Sequence, residues 1–223
     1  MNEKISVIGN LFFGRDKIYE ILSPRPMTQG YLTMQHHSAP DSILSAFLSA
    51  QHRAGMALAA ESDLLNLIPF GGTPPNRYVA EFSCRGLVRS NGEIVEHDFW
   101  AVGITFPSNY LRQSLDVANL LTYLGPHPEP WSPNMQIGGP PSLICLHVGN
   151  GSGLLEILGG LFDLITWNLY STSDEGLNHE AAQWCRNQLS EVPDRFPVDR
   201  RPLKTLLPPR ANDSKALESE ASS

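Results

Sequence analysis

Three cysteines, Cys84, Cys145 and Cys185, carry the side chains best suited to nucleophilic chemistry in this chain. Their separations of 61 and 40 residues match no zinc-binding spacing. An odd number without a dense framework indicates reduced thiols and predicts a cytoplasmic protein. Cys145 stands apart because a Pro/Gly-rich loop, residues 125–141, precedes it. A thiol at the mouth of such a loop can act as a nucleophile, and the alternative is a small buried hydrophobic residue, as free cysteines most often are.

Composition limits the classes of partner. The 223 residues carry a net charge of −7, and 41% of them are hydrophobic, so one domain with extensions can bury a sizeable core. The negative charge argues against a nucleic-acid groove and against an anionic membrane surface. The longest apolar run, residues 154–170, contains Glu156 and Asp163 and is too short and too charged to span a bilayer. No spacing indicates a metal or cofactor site.

Hydrophobic periodicity predicts an α+β protein. A helix begins at Asp41, which can cap it, and ends near Ser62. Alternation then predicts strands, with a hairpin signal at residues 90–92. Two further helices follow, the first apolar nearly all round. The predicted strands cover 64–70, 78–88, 93–106 and 116–123, and the predicted later helices begin at 154 and cover 177–189.

The predicted domain covers residues 41–190. Residues 1–40 form an N-terminal extension, partly ordered, without a clean period. Residues 191–223 are Pro-rich and then polar, which predicts a disordered tail.

Four short motifs follow one another within residues 106–182. They are Phe106-Pro107-Ser108-Asn109-Tyr110, Ser132-Pro133-Asn134, Ile144-Cys145-Leu146, and Ser173-Asp174-Glu175-Gly176-Leu177 with the helix that follows. In order and spacing they resemble the Phe-Pro-x-x-Tyr-Pro, His-Pro-Asn, Ile/Val-Cys-Leu and Asp-Asp-Pro-Leu motifs of the ubiquitin-conjugating enzyme family. The resemblance implies the fold of that family: an N-terminal helix, a four-stranded antiparallel meander, an active-site loop with the cysteine, and C-terminal helices.

The chain also departs from the family pattern. Leu111 replaces the second proline, Ser132 replaces the histidine, and residues 138–140 form an insertion before the cysteine. The segment after Cys145 is short and lacks the Trp and Ser-Pro-Ala that typical members present to ligases. These departures resemble diverged bacterial members, which act beside ubiquitin-like proteins and activating enzymes. That resemblance implies a role in antiviral defence.

The resemblance assigns roles to four residues. Cys145 would accept the C-terminus of a ubiquitin-like modifier from an activating enzyme as a thioester and pass it to an amine of a target protein. The amide of Asn134 would donate to the oxyanion or shape the loop, unless it is only a turn residue. Glu175, better aligned than Asp174, would orient or deprotonate the amine; alternatively, both only stabilise a helix N-terminus. No cofactor, metal, nucleic acid or membrane is required.

Two other readings remain open from the residues. One is a non-catalytic binding module of the same fold, although inactive members typically lack the cysteine. The other is a cysteine hydrolase that pairs Cys145 with a distant histidine such as His97 or His127, which no spacing supports. His147, two residues beyond Cys145, can point the same way on a strand or can lie in solvent.

Overall fold

A computed structural model describes residues 41–112, 120–126, 129–136, 143–146, 148–149, 151–172 and 176–203. Several sequence predictions lie outside these residues: the extension 1–40, the roles of Asp174 and Glu175, and the two histidines His127 and His147. Within the described residues the protein is α+β, which confirms the predicted class, and no helix there has the length and apolar character needed to cross a membrane.

The described elements are three helices and nine strands. The helices are α1 Ser42–Glu61, α2 Leu154–Ile165 and α3 His179–Glu191. The strands are β1 Leu65–Phe70, β2 Arg77–Phe82, β3 Gly86–Ser90, β4 Glu93–His97, β5 Trp100–Thr105, β6 Leu121–Gly125, β7 Glu129–Pro130, β8 Met135–Gln136 and β9 Leu143–Ile144.

Helix α1 begins and ends as the sequence predicts. The carboxylate of Asp41 accepts hydrogen bonds from the backbone N–H groups of Ile43 and Leu44, which satisfies two donors that the helix cannot pair itself. Its buried face carries Leu48, Gly55 and Leu58 and packs against α2 and β1. Gly55 lets the helices approach closely, because a Cβ there would lie 2.6 Å from the Cδ2 of Leu154.

A four-stranded antiparallel sheet, in the order β1-β2-β5-β6, forms the other half of the main core. Side chains on its inner face alternate with those on the outer face, as the sequence pattern predicts. The inner face of β2 and β5 holds six fully or almost fully buried residues: Tyr78, Ala80, Phe82, Trp100, Val102 and Ile104. Cys84, predicted to face the core, is 0% exposed.

Two predicted strands, 78–88 and 93–106, are each broken in two. After β2 the N–H of Ser83 still donates to the carbonyl of Leu64, in register with β1, and the break follows where the N–H of Arg85 donates to the carboxylate of Asp199. Gly86 then packs so closely that a Cβ would lie 2.5 Å from the indole of Trp100. These contacts come from distant segments, so alternation within the strand does not reveal them. The predicted strand 116–123 is described only from residue 120 onward, and β6 begins within it and continues to Gly125.

The broken-off halves, β3 and β4, join β7 in a second sheet of the order β4-β3-β7. This sheet contributes to both the main core and a smaller hydrophobic cluster. Asn91 and Gly92 have φ of 52° and 85°, which confirms the predicted tight hairpin between β3 and β4. On β3, Val88 faces the main core, whereas Leu87 faces a smaller cluster around Trp167.

The segment after α3 differs from the prediction that disorder begins at residue 191. Phe196 stacks on Trp167 with 4.6 Å between ring centroids, and Val198 donates its N–H to the carbonyl of Thr166. Asp199, 3% exposed, binds Arg201. A Pro-rich composition predicts disorder only when apolar side chains find no core, and here Phe196 and Val198 complete the smaller one.

Candidate functional site

Cys145 is presented to solvent by the alternation of an extended chain. It follows directly after β9, and its neighbours Ile144 and Leu146 are 4% and 5% exposed, whereas Cys145 itself is exposed. Because successive side chains of an extended segment point in opposite directions, burying both neighbours turns the thiol outward. The sequence Ile-Cys-Leu therefore fixes the direction of the thiol.

Each neighbour has a defined anchor. Ile144 pairs with Met135, which is 1% exposed, in the short β8–β9 hairpin. Leu146 packs on Gly160 of α2, where an added Cβ would lie 2.7 Å from the Cδ1 of Leu146. The cysteine is therefore held between a hairpin and a buried helix.

Asn134 and Cys145, eleven residues apart in the sequence, are brought together. The backbone N–H of Cys145 donates to the backbone carbonyl of Asn134 over 2.8 Å. The N–H of Asn134 donates in turn to the hydroxyl of Ser132 over 3.2 Å, which shapes the turn between them. The Oδ1 of Asn134 is buried and has no hydrogen-bond partner among the described residues. This oxygen is an acceptor, and the Nδ2 amino group is the part of the amide that can donate a hydrogen bond.

The start of α3 is attached to the same turn. Asn178 donates its N–H to the carbonyl of Pro133 over 3.1 Å, while its side chain caps α3 by accepting from the N–H of Ala181. Gly176 lies so close to Pro133 that a Cβ would stand 3.1 Å from the Pro133 carbonyl oxygen. Gly176 follows Glu175 in the sequence and thus packs against Pro133, the residue before Asn134. Asp174 and Glu175 themselves lie outside the described residues.

The three thiols have different environments. Cys84 and Cys185 are both 0% exposed, and burial raises the pKa of Cys84 to about 12 and that of Cys185 to about 11. Both therefore stay protonated and inert near neutral pH. All three cysteines are free, and Cys145 is the one that solvent reaches.

The histidine of the hydrolase reading has partners of its own. The Nδ1 of His97 accepts the N–H of Phe99, and its ring packs edge-on against Trp100 at 6.1 Å. His97 also pairs with Gly86 in the second sheet, which ties it to that corner of the fold. In the described part of the chain, no group of three or more His, Cys, Asp or Glu side chains is placed to hold a metal ion.

Sequence reasoning missed two residues that fix the start of α2. Gly153 has no side chain to cap this helix, and the Oε1 of Gln51 on α1 accepts the N–H of Leu154 over 2.7 Å instead. The hydroxyl of Tyr110 donates to the carbonyl of Ser152 over 2.7 Å. The sequence did offer one signal, a glycine at the N-cap position of a strong helix. Glycine has no side chain to accept the first N–H groups of the helix, so another residue must supply the acceptor.

Comparisons with models of known families, with curated proteins and with solved structures found nothing that matches this chain. Its function is therefore inferred from the motifs and from the geometry of the site.

Proposed function

We propose that the protein is a conjugating enzyme for a ubiquitin-like protein, which it carries as a thioester on Cys145 and passes to an amine of a target protein. One observation carries the proposal. The hydrogen bond from Cys145 to Asn134 joins the two central motifs of the ubiquitin-conjugating pattern, and it leaves the thiol facing outward. A reactive thiol of this kind requires a reducing compartment, so we place the protein in the cytoplasm.

The order of the elements supports the same reading. A capped helix precedes a four-stranded antiparallel sheet, a hairpin then presents the cysteine, and two helices follow. This is the order that the family resemblance implies for residues 41–190. The departures, such as Ser132 in place of histidine, leave the turn intact because the serine hydroxyl accepts the N–H of Asn134.

In the first step the thiolate of Cys145 attacks the thioester carbonyl that links the modifier to the activating enzyme. When the tetrahedral intermediate collapses, the carbon–sulfur bond to the activating enzyme breaks. The cysteine of the activating enzyme leaves as a thiolate. One thioester replaces another, so the step is nearly isoenergetic and needs no ATP. Both reactants are proteins, and an exposed thiol suits a reaction between two proteins.

In the second step an amine of the target attacks the thioester carbonyl on Cys145. Negative charge gathers on the carbonyl oxygen, the carbon–sulfur bond breaks, and an amide forms while the amine loses a proton to a base. Hydrogen-bond donors aimed at that oxygen lower the barrier. Asn134 lies beside the backbone of Cys145, and its Nδ2 amino group carries two N–H donors, which suits the residue to this role.

The test is a thioester assay with the cognate activating enzyme, its ubiquitin-like protein and ATP, resolved on a non-reducing gel. We expect wild type to form an adduct that thiol reductants cleave. Cys145→Ala should form none, and Cys145→Ser should form an ester that resists reductants because oxygen replaces sulfur.

Wild-type protein that forms no adduct with a cognate pair would overturn the conjugating reading and leave the binding module of the same fold. Turnover of a fluorogenic ester or peptide without any carrier protein would instead favour the cysteine hydrolase. Protein with Cys84→Ala serves as the matched control, because that buried thiol should not affect loading beyond any loss of folded protein.

A further inference from the structure

Strand β4 is an edge that offers hydrogen bonds on one side. In the described part of the chain it pairs with β3 alone, from Gly86–His97 to Ser90–Glu93. The two-residue turn closes with a hydrogen-bonded Ser90–Glu93 pair, and bonded pairs alternate with non-bonded ones along an antiparallel ladder. The backbone groups of Glu93, Val95 and His97 therefore bond to β3. Those of Ile94 and Glu96 point away from it.

The side chains of β4 add a self-complementary pattern. Glu93, Val95 and His97 share one face of the strand, with the apolar residue at the centre and opposite chemical characters at the two ends. Val95 is 40% exposed although it pairs with the buried Val88. Glu93 and His97 each lie two residues from Val95. When a second copy of the strand runs antiparallel, the carboxylate of one copy therefore lies opposite the imidazole of the other.

We propose that β4 is an interaction surface for a second copy of this chain, with the two β4 strands antiparallel and Val95 opposite Val95 of the partner subunit. In this register Ile94 lies opposite Glu96 of the partner subunit. The backbone groups of both residues point away from β3, so each such pair can form the hydrogen bonds of an antiparallel ladder. Glu93 faces His97 of the partner subunit twice, once on each side of the symmetry axis.

The neighbouring registers fit less well. A shift in one direction places Glu96 opposite Glu96 of the partner subunit, and like charges directly opposite destabilise a sheet. A shift in the other direction centres the pair on Ile94, whose side chain already packs against the smaller cluster, and it sets Val95 opposite Glu93 of the partner subunit. Only the register centred on Val95 combines an apolar Val95 pair, a carboxylate opposite an imidazole on each side, and backbone groups placed to hydrogen-bond.

The interface is small. Two five-residue strands bury well below the roughly 1,200 Å² of a stable interface, and the net charge of −7 on each copy opposes association. The dimer is therefore weak and depends on concentration and on salt, since screening weakens the repulsion.

The test uses the full chain in a Cys145→Ser background, in which the two remaining native thiols are buried. Val95→Cys should form an intermolecular disulfide under mild oxidation, because directly opposed residues in a non-bonded pair approach to about 4.5 Å between Cα atoms. Glu96→Cys is the matched control. Position 96 is similarly exposed, but it lies on the other face, offset from its own symmetry mate and out of disulfide reach.

A charge exchange tests the register independently by sedimentation velocity. Glu93→Lys alone and His97→Glu alone should each weaken association. The first sets an ammonium donor opposite an imidazole whose Nδ1 already accepts the N–H of Phe99, and the second sets two carboxylates opposite each other. The double variant should restore it, since each lysine then faces a carboxylate. Near-UV circular dichroism checks that every variant keeps the native packing.

Equal disulfide yields from Val95→Cys and Glu96→Cys would overturn the proposal, as would a wild-type monomer at every concentration tested. A double variant as weak as the single ones would overturn the register, and with it the stated pairing. None of these outcomes bears on thioester formation at Cys145, which is measured separately.

Discussion

The backbone N–H of Cys145 lies 2.8 Å from the backbone carbonyl oxygen of Asn134. Main-chain atoms therefore position the cysteine, and the side chain of Asn134 takes no part in that bond. A substitution at Asn134 can remove the amide and leave the hydrogen bond in place, so the chemical and structural roles of this residue can be separated by experiment.

Asn134→Ala should slow transfer of the modifier to lysine by about 100- to 1000-fold, the cost of one lost oxyanion donor, while the backbone hydrogen bond to Cys145 stays in place. Loading and single-turnover discharge, measured separately, check this prediction. The exposed Asn168, which bonds Asp163, provides a control: Asn168→Ala should affect neither step. Unchanged discharge would rule out the oxyanion role, and loss of the native circular dichroism beside the lost rate would assign Asn134 a structural role.

Alkylation should distinguish the three thiols. We expect iodoacetamide to modify Cys145 alone in the native protein, because Cys84 and Cys185 are 0% exposed and burial raises their pKa values. Mass spectrometry of native and urea-unfolded samples should show one adduct and three adducts, respectively. Native labelling of Cys84 at a similar rate would contradict the burial.

Local patterns predicted much of this fold. The cap at Asp41, the hairpin at Asn91-Gly92 and the core-facing Cys84 all depend on residues close in sequence, and each is confirmed. The sequence left open whether Cys145 is accessible or buried, and the burial of Ile144 and Leu146 explains its outward direction.

Contacts between residues far apart in the sequence explain what the local patterns did not predict. The sequence pattern of β2 runs on through residue 88, but Asp199 takes the N–H of Arg85 from 114 residues away and ends the strand. The cap on α2 comes from Gln51, 103 residues before Leu154. Neither contact has a periodic signature, so the break in the sheet and the ordered segment 192–203 could not be predicted.

Adjacent glycines in α2 should respond in opposite ways to the same change. Gly159 has open space around it, so Gly159→Ala should stabilise the protein by up to about 1 kcal/mol through helix propensity. Gly160→Ala gains the same propensity but pushes Leu146, one residue from Cys145. It should lower stability and change the alkylation rate of Cys145, which urea denaturation and labelling kinetics measure. Identical effects at both positions would show that Leu146 moves freely.

Asp199 should make folding sensitive to acid. Its hydrogen bonds from Arg201 hold the pKa of this carboxyl well below its usual range in the folded state, whereas an unfolded aspartate titrates near 3.9. The group therefore stabilises the fold above about pH 4 and loses that contribution as the pH falls toward the folded-state pKa. Asp199→Asn should cost about 1–3 kcal/mol at neutral pH and flatten the acid dependence of the unfolding free energy. Asp194→Asn, at an exposed carboxyl, should leave the acid dependence as in wild type.

The cap on α2 can be moved from one residue to another. Gln51→Ala removes the acceptor for the N–H of Leu154 and should cost about 1 kcal/mol, as loss of a cap does. Gly153→Ser alone should change stability little, because its Cβ would displace the Oε1 of Gln51, which lies 2.7 Å away, and exchange one cap for another.

Together the two changes should be far less costly than their sum. The serine at position 153, where φ is −79°, can then cap the helix itself in the space that the glutamine leaves. A double-mutant cycle of urea unfolding measures this coupling. Simple additivity would mean that Gln51 acts on α2 through packing and not through its hydrogen bond.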